Sequence, residues 1–251
     1  MAEPLYRRAV RMAVPVNLRY RAYMGLLNTS GISEVYCRLR RPLNELRVTR
    51  NTDLLIDGAP RSGNTFVRLA VQAANPEMHV ASHLHVPYGV LKANSCGVAV
   101  LVLIRDPGDA TASLVQVIRG LSVSTALRHW LHYYGTLQQN DFRGCVADFE
   151  RVTTDLAGTI AQFNRHTGCQ LKVPDQTHLL ENLTPEIDRR AVLYPQGGTA
   201  RTVTSRPSGD RQAAAEILAH LDLRERRLLQ QARELYEAFR SVALRFNRAS
   251  R

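Results

Sequence analysis

The stretch Asp53-Leu-Leu-Ile-Asp-Gly58-Ala-Pro-Arg-Ser-Gly63-Asn-Thr65 decides how the rest of the chain is read. Residues 52–56 are a compact, partly branched apolar run, as in a buried strand, and Asp57-Gly58 opens a turn. A helix is predicted over 64–74, stopped by Asn75-Pro76, because proline disfavours the helical conformation at the residue before it. Between strand and helix, Gly58 and Gly63 keep the G-x-x-x-x-G spacing of a phosphate loop. In such a loop successive backbone N–H groups and the helix N-terminus cradle an anion. Asn64 stands where a phosphate loop of nucleoside triphosphatases carries lysine, which argues against triphosphate hydrolysis. Arg61 brings a planar cationic fork into the loop instead, beside the short polar donors Ser62, Asn64 and Thr65. The plainer alternative is a glycine turn that holds no ligand.

Outward from this loop, residues 98–104 are continuously apolar, as expected of a central parallel strand covered on both faces. Arg105 leaves its carboxyl end, with Asp106 as N-cap, Pro107 at N1 and Asp109 at N3 of a following helix. Ser113 lies two helical turns past Asp106 and faces the same side, so Arg105 and Ser113 could grip a second anion. Alternatively Arg105 only pairs with Asp106 or Asp109. Further elements are expected as a short strand or extended stretch over 80–86, a helix over 122–139, a strand over 145–149 and a helix over 156–166 ended by Gly168. Prolines and glycines make 167–210 irregular, and 211–246 reads as one long helix or two shorter ones. At the amino end, a basic amphipathic helix within 4–27, a break at 28–31 and a short helix over 32–43 are predicted. Strands alternating with helices imply a three-layer α/β fold with a mostly parallel, P-loop-like sheet and helical additions at both ends. One domain fills 1–251: a basic segment over 1–50, a nucleotide-binding core over 52–170, and an irregular loop with helices over 171–251. Both motifs lie at carboxyl ends of strands, where such sheets collect ligands.

The net charge of +11 is concentrated. Residues 1–50 hold ten arginines against Glu3, Glu34 and Glu45. Such a segment suits an anionic membrane surface, nucleic acid or an acidic substrate, or is simply a solvated face. No apolar run is long enough to span a bilayer, and Arg7, Arg8 and Arg11 interrupt any leader-like stretch, so a cytoplasmic protein is expected, with contact at the inner membrane face as an option. Cys37, Cys96, Cys145 and Cys169 are dispersed without metal-ligand spacing, so no metal site is expected. A nucleic-acid reader motif is absent despite the basic charge, so that partner is not expected either.

Together the two motifs resemble those of sulfotransferases, of the bacterial type, that use 3′-phosphoadenosine 5′-phosphosulfate (PAPS). The family's P-[K/R]-S-G-T-T-[W/F] loop is matched by Pro60-Arg-Ser-Gly-Asn-Thr-Phe66, and its Arg and Ser eight residues apart by Arg105 and Ser113. The resemblance implies that Pro60, Arg61, Ser62, Gly63, Asn64 and Thr65 hold the 5′-phosphosulfate, that Phe66 lies against adenine, and that Arg105 and Ser113 take the 3′-phosphate. The family histidine of K-T-H-L aligns with His83 in Ala81-Ser-His83-Leu-His85, which implies His83 as general base. Ala81 replaces the lysine, leaving His85 or Lys92 to compensate. A strand tyrosine near adenine is replaced by Phe149, and the C-terminal R-K-G segment by a basic stretch containing Arg206, which could close over the nucleotide. The acceptor would be a small-molecule or glycan hydroxyl, read by loops around 85–95, 115–135 and 170–205. The competing classes are a P-loop phosphoryl-transfer enzyme and a basic nucleic-acid binder.

Overall fold

The computed structural model describes residues 13–39, 47–82, 84–140, 142–173, 183 and 211–248. Among these residues, four short strands, β1 (Leu54–Asp57), β2 (Val80–Ser82), β3 (Ala99–Ile104) and β4 (Cys145–Asp148), form one sheet in the order β2-β1-β3-β4. All three pairings are parallel, with Leu54 opposite both Val80 and Ala99, and Leu101 opposite Cys145. Parallel strands need covered crossovers, and each here is helical: α3 (Asn64–Ala74) after β1, α4 (Pro87–Ser95) after β2, and α5 (Pro107–Val117) with α6 (Val123–Gln139) after β3. Among the described residues, two N-terminal helices precede the sheet, α1 (Val16–Leu27) and α2 (Ile32–Leu39). After β4 come α7 (Phe149–Thr154), α8 (Leu156–Thr167), α9 (Arg211–Ala219) and α10 (Leu223–Arg248).

Strand side chains alternate between faces, and the two faces bury separate cores. Leu54, Ile56, Leu101, Leu103, Cys145 and Ala147 pack with Phe66, Val67, Ala70 and Val71 of α3 and Ile160 and Phe163 of α8. Leu55, Val100, Val102, Ile104 and Val146 pack on the opposite face with Val90 of α4, Leu127, Trp130, Tyr133 and Tyr134 of α6, and Ala232, Tyr236 and Phe239 of α10. This is the expected three-layer α/β fold. The chain moves from β1 outward to β2, then crosses back to β3 on the other side of β1, so the carboxyl ends of β1 and β3 flank a topological switch point.

The predicted cap at Asp106 and stop at Gly168 hold: Asp106 accepts from the Asp109 N–H at 3.0 Å, and Gly168 ends α8 in the left-handed conformation. Ser122, expected as the first residue of α6, is its N-cap. Three expectations change. The extended stretch over 80–86 stops at Ser82, and the expected loop over 85–95 is mostly α4. That helix was obscured because Gly89, Asn94 and Ser95 are weak helix formers, while Pro87 at its first turn reads as a break. The expected acceptor loop over 115–135 is largely the end of α5 and most of α6. α2 is described as far as Leu39; the remaining residues expected in it lie outside the described ones. α1 is docked on the rest of the molecule: Tyr20 packs with Leu114, Ile118 and Leu121, and Leu27 with Leu84 and Val86.

Candidate active site

The loop after β1 is shaped by close approach. A Cβ on Gly58 would stand 2.2 Å from the Leu103 carbonyl oxygen, so only glycine lets this strand end lie against β3. Gly63 opens α3 at φ 91°, and Arg61 itself sits in the left-handed region at φ 70°. Asn64, in place of the lysine, turns inward: its Nδ2 donates to the Gly58 and Ala59 carbonyls, each at 3.2 Å. It therefore ties the loop together, and its side chain is buried rather than presented to an anion. Ser62 is also fully buried, its Oγ 3.4 Å from the Tyr134 hydroxyl. That hydroxyl donates to Leu103 O at 2.6 Å and accepts from the Ala59 N–H at 3.2 Å, so Tyr134 stitches the loop to β3 from below. Pro60, Arg61, Gly63 and Thr65 remain half-buried at the loop surface.

The two motifs meet. Arg61 Nε donates to Ser113 Oγ at 2.9 Å, and an Arg105 terminal nitrogen donates to the Arg61 carbonyl at 3.1 Å. The Arg105 guanidinium lies 4.2 Å from the centre of the Phe149 ring, whose edge also abuts Gly63. Asp109 comes within 4.0 Å of Arg105, the partner anticipated as the alternative, yet Arg105 still reaches the loop. Burial, aided by repulsion from Arg105, lowers the Arg61 guanidinium to about 10, which leaves it cationic at neutral pH. Burial also lowers Arg105, opposed by Asp109 and Asp106. Phe149 is the residue sequence reasoning undervalued: it was noted for a missing hydroxyl, whereas it is the ring that joins the two arginine motifs.

Phe66 does not face this surface. It is 3% exposed within the α3 side of the core, which leaves it little surface for an adenine. Lys92 is engaged elsewhere: its Nζ binds the Glu34 carboxylate and donates to Val48 O, clamping α4 to α2, so it does not compensate for Ala81 at the site. His83 and Arg206 lie outside the described residues.

His85 reaches the loop by an unexpected route. It is a non-glycine residue at φ 54°, so the extended backbone expected over 80–86 does not hold at this position. Its N–H donates to Asp57 Oδ2 at 3.2 Å, and its Nδ1 lies 2.8 Å from Gly58 O and 3.6 Å from Asp57 Oδ1. A carbonyl can only accept, so Nδ1 carries the proton and Nε2 the lone pair. Burial lowers this imidazole to about 4 although a fifth of the side chain stays open to solvent, and Arg61 adds to the shift. It is neutral at pH 7. Behind it, His129 Nε2 donates to the His85 carbonyl at 2.7 Å, a contact with no signal in the sequence beyond a histidine in a helical run.

Among the described residues, no cluster of His, Cys, Asp and Glu could hold a metal, and no helix is long and apolar enough to cross a membrane. No family model matches the chain, and no curated protein matches it in sequence. Among solved structures it is similar to mouse sulfotransferase SULT7A1 complexed with PAP, at a TM-score of 0.53 and 11% identity, over 80% of this chain and 90% of that one. At that identity the likeness is one of fold: a P-loop-like α/β core with a mostly parallel sheet.

Proposed function

We propose that this chain is a sulfotransferase that takes a sulfuryl group from PAPS and passes it to a hydroxyl of a small molecule or glycan. One observation carries the reading: the Arg61–Ser113 hydrogen bond joins two anion-binding motifs 52 residues apart into one cationic surface at the switch point. The donor set fits a nucleotide with anionic groups at both ends. Arg61 and the loop N–H groups would face the 5′-phosphosulfate, and Arg105 with Ser113 the 3′-phosphate. The inward Asn64 amide supports this over triphosphate hydrolysis, since no lysine reaches the loop mouth at that position.

PAPS supplies the activated sulfuryl group; the chain's own residues bind, orient and move a proton. His83 would accept the proton of the attacking hydroxyl, as the motif alignment implies, and neutral His85 would line the same centre. Arg61 and the loop amides would balance charge on the departing phosphate. The test is calorimetry with 3′-phosphoadenosine 5′-phosphate (PAP) against AMP. A charged hydrogen bond is worth about 1.5–3 kcal/mol, so PAP should bind roughly ten- to a hundredfold more tightly, and Arg105→Ala should erase the difference. Equal affinities in the unaltered protein would remove Arg105 and Ser113 from the site.

We also propose that the basic N-terminal segment contacts an anionic membrane surface. Leu18, Ile32 and Val35 are more than half exposed and Leu39 is 80% exposed, in a segment with seven more positive than negative charges. Co-sedimentation with anionic but not neutral vesicles is expected; equal behaviour with both returns the segment to a solvated face.

A further inference from the structure

The left-handed backbone at His85 is held from both sides. Its N–H is fixed by Asp57 at the end of β1, and its carbonyl by His129 from α6. Residues other than glycine seldom adopt that conformation, so the surroundings must impose it. His129 can do so only as the tautomer with its proton on Nε2, because the His85 carbonyl offers no proton in return. The other ring nitrogen, Nδ1, must then accept, and the Tyr20 hydroxyl lies 2.6 Å from it. Burial raises the Tyr20 phenol far above its ordinary range, so it stays protonated and donates. Tyr20 and His129 are 8% and 7% exposed, and their rings meet edge to face.

Tyr20 belongs to α1, which is otherwise docked by polar contacts at both ends. Asn17 Oδ1 accepts from the Ser122 N–H at 2.8 Å, and Asn28 Oδ1 accepts from the Tyr88 N–H at 3.1 Å. α1 thus grips the start of α6 and the start of α4, the elements on either side of the Tyr20–His129 contact.

We propose that Tyr20 and His129 are positioning residues for His85: Tyr20 selects the His129 tautomer, and His129 holds the His85 carbonyl so that Nδ1–H meets Gly58 and Nε2 stays a base. This makes α1 part of the site's scaffold. It rests on the reading of His85 as a group of the reaction centre, but its geometry stands apart from that reading. Among the described residues, the charged and titratable groups acting on the His85 ring include Asp57 from β1, Arg61 from the loop and His129 from α6.

The test is ring 15N spectroscopy of the full-length protein across pH 3–8, with Tyr20→Phe, His129→Leu and His129→Gln. Gln keeps an amide donor near the place of Nε2. Tyr20→Phe and His129→Leu should mix the His85 tautomers and shift its titration upward by about one unit or more, toward the ordinary value near 6.5. His129→Gln should restore the single tautomer. Should His129→Leu fail to fold, the conservative Tyr20→Phe and His129→Gln pair still decides. An unchanged His85 signal in Tyr20→Phe overturns the proposal. PAP calorimetry on the unaltered protein separates the two ideas: absence of PAP binding there would count against the sulfotransferase reading while the His85 signals still judge the positioning.

Discussion

At Gly58 a methyl group has nowhere to go, and at Arg61 a side chain occupies a conformation that suits glycine. The two positions therefore respond to alanine in opposite ways. Gly58→Ala should push the loop off β3, cost about 1–3 kcal/mol as overpacking does, and weaken PAP binding with it. Urea unfolding and calorimetry on one sample check both; an unperturbed variant would mean that the close approach is dispensable. Arg61→Ala should keep the fold and lose roughly ten- to a hundredfold in PAP affinity, because a charged donor goes while the backbone cradle stays. Arg61→Gly should lose the same affinity yet be more stable than Arg61→Ala by about 1 kcal/mol, since glycine reaches φ 70° without strain. If alanine proved the more stable of the two, the left-handed loop would not be the solution conformation. That Arg61, Arg105 and Ser113 come together was legible, because both motifs fall at the carboxyl ends of strands. The roles of Ser62 and Asn64 were not, because whether a short polar side chain faces the ligand or its own loop depends on what lies beneath, here Tyr134.

Between elements, the end of β4 is tied to the C-terminal helix by the Tyr236 hydroxyl, which donates to Asp148 Oδ2 at 2.5 Å. The other oxygen of that carboxylate caps α7 by accepting from Glu150 N–H at 2.9 Å. Tyr236→Phe removes the bond and leaves the carboxylate partly desolvated, so a loss of about 1.5–3 kcal/mol is expected in urea unfolding. A Tyr236→Phe, Asp148→Asn cycle should return a coupling of the same sign; additivity would show that the pair contributes nothing. The strands and most of the core helices could be read from their apolar periods and caps. What failed was the region around Ser82, where a short buried strand, a left-handed residue at His85 and a proline-led helix come within a few residues of one another. Periodicity needs several residues of one kind to register, and no single pattern lasts that long there.

Over the whole molecule, His85 and His129 make the fold sensitive to acid. Both imidazoles are lowered to about 4, chiefly by burial, against an ordinary value near 6.5 when unfolded. Between these values the unfolded chain binds protons that the native one refuses, so stability is full above about pH 6.5 and falls as pH drops toward 4. Each unit of displacement corresponds to about 1.4 kcal/mol. The melting temperature should drop across that window, and less steeply in His129→Gln; equal slopes would mean that His129 takes up its proton in the folded state. The parallel sheet could be inferred from strand–helix alternation, but its strand order and the docking of α1 could not, because the contacts of α1 with α6 and the turn before it are set by the third dimension alone. Those contacts join residues 103 to 109 positions apart. A chain made from its amino end at about 5–20 residues per second would hold α1 without its partner for roughly 5–20 seconds. Through that interval Tyr20 and its apolar neighbours stand open to chaperones and proteases, so the last-made surface that protects α1 is also the one that completes the setting of His85.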